Sequence, residues 1–219
     1  VASNPVRDSK VTRTDRSEEG EAGEKFILPP ENDLKRLLEA ARTFDNTGRA
    51  DAIVRTLMHA GLRASELRGL PRRSLSLEAA QPKLRVDQRA DRFEEIGRTK
   101  SKNSRRDIVL GLKTVKAIET WLEAAPKSEF VFPNADGNIQ SYSNLWNRFW
   151  VPLMNHAGLV TDEPASATVR NWSAAQEGLM QPRFGLHMLR HVYASLQIRQ
   201  GVKPKRLQAL MGHATLKLT

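Results

Sequence analysis

The segment His187-Met188-Leu189-Arg190-His191 places three polar side chains at helical spacing. Positions i, i+3 and i+4 lie on one face of a helix, so His187, Arg190 and His191 would project together. That face would carry one fixed positive charge and two hydrogen-bonding rings, with no carboxylate. Because the planar guanidinium group matches phosphate oxygens in a bidentate way, the segment predicts a phosphate-binding helix face. A solvated helix face with incidental histidines is the alternative.

The same two histidines also have the spacing used by zinc-binding helices. The Glu of that zinc motif is missing here, and Arg190 would place a cation beside the metal. We therefore predict no metal and no cofactor for this site.

Two further segments accompany the histidine segment. Gly61–Leu67 places Arg63 at the expected start of a helix, followed by Glu66, and Leu210–His213 lies near the C-terminus. In order, the three segments resemble the boxes of the tyrosine recombinases, the phage integrase family. Those boxes read Gly-Leu-Arg-x-Ser-Glu-Leu, His-x-Leu-Arg-His and Leu-x-Gly-His. We call Gly61–Leu67 the first box, His187–His191 the second and Leu210–His213 the third; the resemblance covers roughly residues 25–219.

The resemblance implies transesterification at a DNA phosphodiester. A Tyr hydroxyl would attack phosphorus, forming a 3′-phosphotyrosyl bond and releasing a 5′-hydroxyl, and a second 5′-hydroxyl would reverse the step on a partner strand. The covalent intermediate conserves the energy of the phosphodiester bond, so no energy-supplying nucleotide cofactor is needed. Extra negative charge in the transition state calls for fixed cationic donors rather than a metal.

The resemblance also implies roles for individual residues. Arg63 and Arg190 would clamp the phosphate, His213 would donate a hydrogen bond to it, and His187 would assist proton transfer near the nucleophile. Glu66 and His191 would orient these groups.

A basic hairpin is expected between the first and second boxes. Strand-like patterns at 84–88, 93–99 and 106–110 predict three short antiparallel strands, with residues 100–104 as the turn that joins the last two. The resemblance places a lysine that protonates the leaving 5′-oxygen on this hairpin; we choose Lys100, with Lys102 as the alternative. The other basic residues are expected to contact DNA: Arg98, Lys102, Arg105 and Arg106.

The chain departs from the family pattern in its tyrosines. It has two, Tyr142 and Tyr193, and both precede the third box. The family keeps its nucleophile on a helix that follows the third-box histidine, whereas this sequence ends at Thr219. We expect the nucleophile to lie beyond Thr219, and the fragment as it stands to be inactive in DNA cleavage.

The remaining elements predict a mainly helical domain. Residues 1–24 mix both charges with Ser, Gly and Pro and predict a linker or disordered arm. Apolar residues recur at helical spacing in six later ranges, which are 34–41, 52–58, 115–124, 142–154, 187–200 and 204–211. The aromatic residues of 142–154 favour core packing over base stacking, and 158–186 predict a long irregular loop with a short helix at 173–179. We predict an α+β fold, mainly helical with a small three-stranded antiparallel sheet, as in the catalytic domains that break and rejoin DNA, over residues 25–219.

The amino-acid composition limits the classes of binding partner and the compartment that we expect for this protein. The formal net charge of +10 in 219 residues favours a polyanionic partner, with nucleic acid as the default. The chain has no Cys, which excludes disulfides and a catalytic thiol. No apolar run is long enough to cross a membrane and no signal-peptide pattern is present, so the cytoplasm is expected by elimination. Double-stranded DNA and further copies of the protein, as a tetramer on DNA, are the predicted partners.

Three functions fit these residues. The first is the catalytic domain of a recombinase that acts in DNA integration, transposition or resolution. The second is a DNA-binding module that retains the fold without the chemistry, and the third is an enzyme like the type IB topoisomerases. The intact set of basic residues favours the first. All three predict salt-sensitive DNA binding, whereas only an enzyme would lose product on Arg190→Ala while keeping most of its DNA affinity.

Overall fold

The computed structural model describes residues 27–98, 105–164 and 178–212, so the predicted arm at 1–24 lies outside the described residues. The α-helices are α1 (Glu31–Thr43), α2 (Arg49–Ala60), α3 (Ala64–Arg68), α4 (Leu112–Ala124), α5 (Tyr142–Asn144), α6 (Val151–His156), α7 (Leu186–Arg199) and α8 (Pro204–Met211). The strands are β1 (Leu75–Ser76), β2 (Lys83–Val86), β3 (Gln88–Ala90), β4 (Ile96–Arg98), β5 (Arg106–Val109), β6 (Val160–Pro164) and β7 (Met180–Pro182). The predicted mainly helical α+β class is confirmed.

Helix α2 forms the centre of the core. Its side chains Ile53, Val54 and Leu57 are fully buried or nearly so, and the helix packs against α1, α4 and α7. It ends at Gly61, as predicted, because Gly61 adopts a left-handed conformation (φ 61°) and donates its N–H to the Leu57 carbonyl. Arg63, at the start of α3, therefore follows two residues after this turn.

The three-stranded sheet exists, but its strands are not the three that the sequence predicted. The sheet order is β1-β2-β5, whereas β4 pairs with β3 in a separate hairpin. The carboxylate of Asp91 accepts the N–H groups of Phe93 and Glu95, which makes 91–95 a turn and shortens the strand predicted at 93–99. The turn predicted at 100–104 lies outside the described residues.

The predicted helix at 142–154 is present with an irregular middle. A π-helical segment, Leu145–Trp150, connects α5 to α6 without leaving helical backbone geometry. Phe149 and Trp150 are buried, and the Trp150 indole donates to the Phe184 carbonyl at 3.0 Å, just before α7. The aromatic residues therefore pack in the core, although Tyr142 at the start of the helix is 49% exposed.

The region predicted to be irregular, 158–186, contains an antiparallel strand pair, β6 with β7. The Asn155 amide supports it by bonding both the N–H and the C=O of Met180. The predicted helix at 173–179 falls mostly on residues outside the described ranges. No helix within those ranges is long and apolar enough to cross a bilayer.

Candidate active site

Glu66 is the buried centre of the candidate site. It lies in the first turn of α3, and its side chain is only 2% exposed. Its carboxylate accepts the Arg63 backbone N–H at 2.9 Å, as in a capping box, and the Arg63 guanidinium at 3.0 Å. A buried carboxylate requires such partners, because an unpaired buried charge is strongly destabilising. Glu66 therefore holds Arg63 at the start of α3, and the role of this contact in orienting Arg63 toward a phosphate stays a prediction.

Arg106 is the second partner of Glu66. Its Nη1 and Nη2 atoms donate to Oε1 and Oε2 of Glu66 at 3.1 and 2.8 Å, and the residue is buried. Side chains alternate between the two faces of β5, which places Arg106 and Ile108 inside and Asp107 outside. Arg106 was expected to contact DNA from a basic hairpin; the structure instead places its side chain in the interior, and no observation tests whether it contacts DNA.

Arg190 joins the three boxes. It lies on α7 with 1% exposure, and its guanidinium donates to the main-chain carbonyls of Gly61 and Met211. Its Nη1 is also 3.9 Å from Oε2 of Glu66. One side chain of the second box thus contacts the main chain of the first and third boxes.

The charges of this cluster influence one another. Burial alone would raise the pKa of Glu66, but the hydrogen bonds and charge of Arg106, the backbone N–H of Arg63 and the charge of Arg190 leave that pKa below its ordinary value. Burial lowers the pKa of Arg190 to about 9, helped by the positive charge of Arg63 and opposed by Glu66. At neutral pH, three guanidinium groups therefore face one carboxylate, and the cluster keeps a net positive charge suited to a phosphate.

His187 and His191 lie on the same side of α7, as their spacing predicted. Their rings form an edge-to-face pair with centroids 5.0 Å apart. Partial desolvation, together with the neighbouring His191 and Arg190, lowers the pKa of His187 to about 4. The His187 ring is therefore neutral at pH 7, which suits a proton acceptor.

A titration of His187 tests this environment. We expect the ring to titrate by nuclear magnetic resonance with a midpoint near pH 4, against an ordinary value of 6.5. The unfolded chain binds this proton below about pH 6.5, so the stability that His187 contributes is present above that pH and lost as the pH falls toward 4. His187→Gln assigns the signal, and a midpoint near 6.5 would contradict the described surroundings.

The structure describes only some of the other predicted residues. Arg105 is exposed and borders a groove of about 470 Å³ that Arg73 and Arg85 also line. Three predicted residues lie outside the described residues, as does the side chain of Arg98; they are Lys100, Lys102 and His213. Their roles remain predictions. Within the described ranges, no third His, Asp or Glu joins His187 and His191 in a possible metal site.

Two features of the site were missed by sequence reasoning. One is the inward position of Arg106, which could have been inferred from the two-residue period of a strand, since Arg106 shares a face with Ile108. The other is Tyr193, which is 2% exposed and has its ring against Gly61. That contact joins residues far apart in the chain, so no local pattern could have indicated it.

Comparison with known proteins identifies the family. The sequence pattern that defines the phage integrase family matches residues 29–219. Three solved structures have a similar fold. The first is a part of the Tn1549 transposon integrase in complex with circular intermediate DNA, which is 19% identical, has a TM-score of 0.67 and covers 90% of this chain. The second is XerA recombinase, with 21% identity, a TM-score of 0.64 and 92% of this chain covered, and the third is a part of lambda integrase as a dimer bound to a COC′ core site, with 14% identity, a TM-score of 0.56 and 90% covered. This chain spans 62%, 60% and 62% of those chains, respectively. A search of curated protein sequences finds no match. Because the family pattern extends over most of the sequence and the fold is that of known recombinases, the chain belongs to the phage integrase family of tyrosine recombinases.

Proposed function

We propose that this chain is the catalytic domain of a site-specific DNA recombinase that breaks and rejoins strands by transesterification. The observation that carries the proposal is the cluster of Arg63 and Arg190 around buried Glu66, where all three boxes meet. Fixed guanidinium groups in a water-poor site stabilise the extra negative charge of a phosphorane transition state. Related structures that contain DNA, such as the Tn1549 integrase complex, support DNA as the partner, and we propose that it is double-stranded.

The described side chains fit distinct parts of this reaction. Arg63 and Arg190 would hold the non-bridging oxygens of the scissile phosphate, and neutral His187 would take a proton near the attacking hydroxyl. We propose Lys100, or Lys102, as the donor to the leaving 5′-oxygen and His213 as a further donor to the phosphate. His191 would orient His187 through their ring contact.

The attacking hydroxyl is proposed to come from a tyrosine other than Tyr142 or Tyr193. Tyr193 is buried with its ring against Gly61, and burial raises the pKa of its hydroxyl, which makes it a poorer nucleophile. Tyr142 begins α5, between the first and second boxes, and its side chain is 49% exposed. Neither tyrosine follows the third box, where the resemblance places the nucleophile.

Covalent capture on DNA of random sequence tests the proposal and finds the target in the same experiment. The protein, expressed from its complete gene, is mixed with nicked duplexes of randomised sequence, so that cleavage releases a short strand and traps the adduct. We expect an adduct that resists detergent, joined through a 3′-phosphotyrosyl bond, and sequencing of the captured DNA gives the recombination site.

Other results would point to the competing functions. Salt-sensitive DNA binding without any adduct would indicate a non-catalytic module. Relaxation of supercoiled DNA without a preferred site would favour a topoisomerase. Assembly on DNA is tested separately: we propose a tetramer on paired target sites, and light scattering with the captured sequence measures the copy number.

A further inference from the structure

The pair formed by Arg106 and Glu66 joins two distant parts of the chain inside the site. Glu66 belongs to α3 and Arg106 to β5, 40 positions apart, and both residues are buried. The two parallel hydrogen bonds between them, at 3.1 and 2.8 Å, use both carboxylate oxygens. Such a bidentate pair fixes direction as well as distance, since the guanidinium and the carboxylate become coplanar.

Glu66 has other positive neighbours that could compete for its charge. Its Oε1 accepts from Arg63 at 3.0 Å, and its Oε2 is 3.9 Å from Nη1 of Arg190. With Arg106 present, three guanidinium groups face one carboxylate, which leaves two net positive charges for a phosphate. Without Arg106, the same carboxylate would be shared by Arg63 and Arg190 alone, and only one net positive charge would remain.

We propose that Arg106 is a positioning residue for the recombination reaction. It satisfies the buried Glu66 carboxylate, so that Arg63 is held in place without being neutralised and Arg190 stays free of a closer ion pair. The residue acts through Glu66 and does not contact DNA. This inference rests on the proposed function, in which Arg63 and Arg190 bind the scissile phosphate.

Paired substitutions test the inference on the protein expressed from its complete gene. Arg106→Gln leaves a buried carboxylate with too few partners, and we expect the rate of adduct formation to fall on the order of tenfold. Glu66→Gln combined with Arg106→Gln should recover most of that rate. The double variant restores two net positive charges, and Gln can still cap α3. A double variant as slow as Arg106→Gln, or slower, would overturn the proposal.

Arg72→Gln is the matched control for a general loss of stability. Arg72 is a partly buried arginine whose guanidinium donates to the Phe130 and Pro126 carbonyls, away from the site residues. We expect this control to lower the melting temperature without changing the rate of adduct formation. An equal loss of rate in Arg72→Gln and Arg106→Gln would mean that Arg106 acts only through stability.

Two measurements on the 219-residue chain test the positioning of Arg63 by Arg106 separately from the recombination reaction, so a failure of the inference is distinguishable from a failure of the proposed function. In the salt dependence of duplex binding, an arginine that contacts a phosphate contributes about one to the slope. We expect the double variant Glu66→Gln/Arg106→Gln, which keeps two net positive charges in the cluster, to have the slope of the unsubstituted chain, and a slope lower by about one would overturn the proposal. In the DNA-free chain, the guanidinium resonance of Arg63 should shift in Arg106→Gln and not in Arg72→Gln. An unshifted resonance would equally overturn the proposal.

Discussion

Substitution of Arg190 by Ala is expected to slow strand cleavage by about 10²- to 10³-fold, the effect of removing one preorganised donor to a transition-state charge. Affinity for duplex DNA should change little, because many phosphate contacts share that affinity. The measurement is the single-turnover rate of adduct formation on the captured target, alongside the dissociation constant for the same duplex. A parallel loss of rate and affinity would instead assign Arg190 to DNA binding alone.

The burial of Arg190 requires a control for folding. Removing the side chain leaves the Gly61 and Met211 carbonyls without this donor, and each such loss costs about 1–3 kcal/mol when the group stays buried. Arg190→Lys keeps a positive charge but loses the guanidinium fork, so it should remain slow while staying better folded. Arg199→Ala, exposed at the end of the same helix, should retain both rate and stability.

Substitution of Gly61 by Ala is expected to lower the free energy of unfolding by about 2–5 kcal/mol, the sum of a backbone and a packing contribution. Gly61 has φ 61°, where a non-glycine residue is disfavoured by about 1–2 kcal/mol. A Cβ at this position would also lie 2.8 Å from Cγ of the buried Tyr193 ring, and overpacking of this kind adds about 1–3 kcal/mol. Urea denaturation followed by circular dichroism measures the change.

Two other glycines separate the contributions to that effect. Gly201 has φ 76°, but a Cβ added there would meet nothing within 4 Å, so Gly201→Ala reports the backbone contribution alone. Gly97 has neither a positive φ nor a close neighbour, and Gly97→Ala should have little effect. If Gly61→Ala costs no more than Gly201→Ala, then the Tyr193 ring moves aside and the packing argument is wrong. Because the Gly61 carbonyl accepts from Arg190, we also expect cleavage to slow in Gly61→Ala.

The β-strand region shows where sequence reasoning was incomplete. The patterns at 84–88 and 106–110 correctly indicated strands, since alternation of buried and exposed residues is visible locally. The predicted pairing of the strand at 93–99 with the strand at 106–110 was wrong. Asp91 stabilises a tight turn at 91–95, and β4 pairs with β3 rather than with β5. Strand partners depend on contacts between segments, which a local pattern does not contain.

The sequence by itself determined the family, the helical faces and the residues on them. The end of α2 at Gly61 and the common face of His187 and His191 follow from local backbone preferences and the helical period. Only the tertiary structure decided that Arg190 reaches the Gly61 carbonyl, 129 positions away, and that Arg106 pairs with Glu66 across 40 positions. These contacts arise because packing α7 and β5 against the α2–α3 turn buries charges that must then find partners, and burial is a property of the assembled fold.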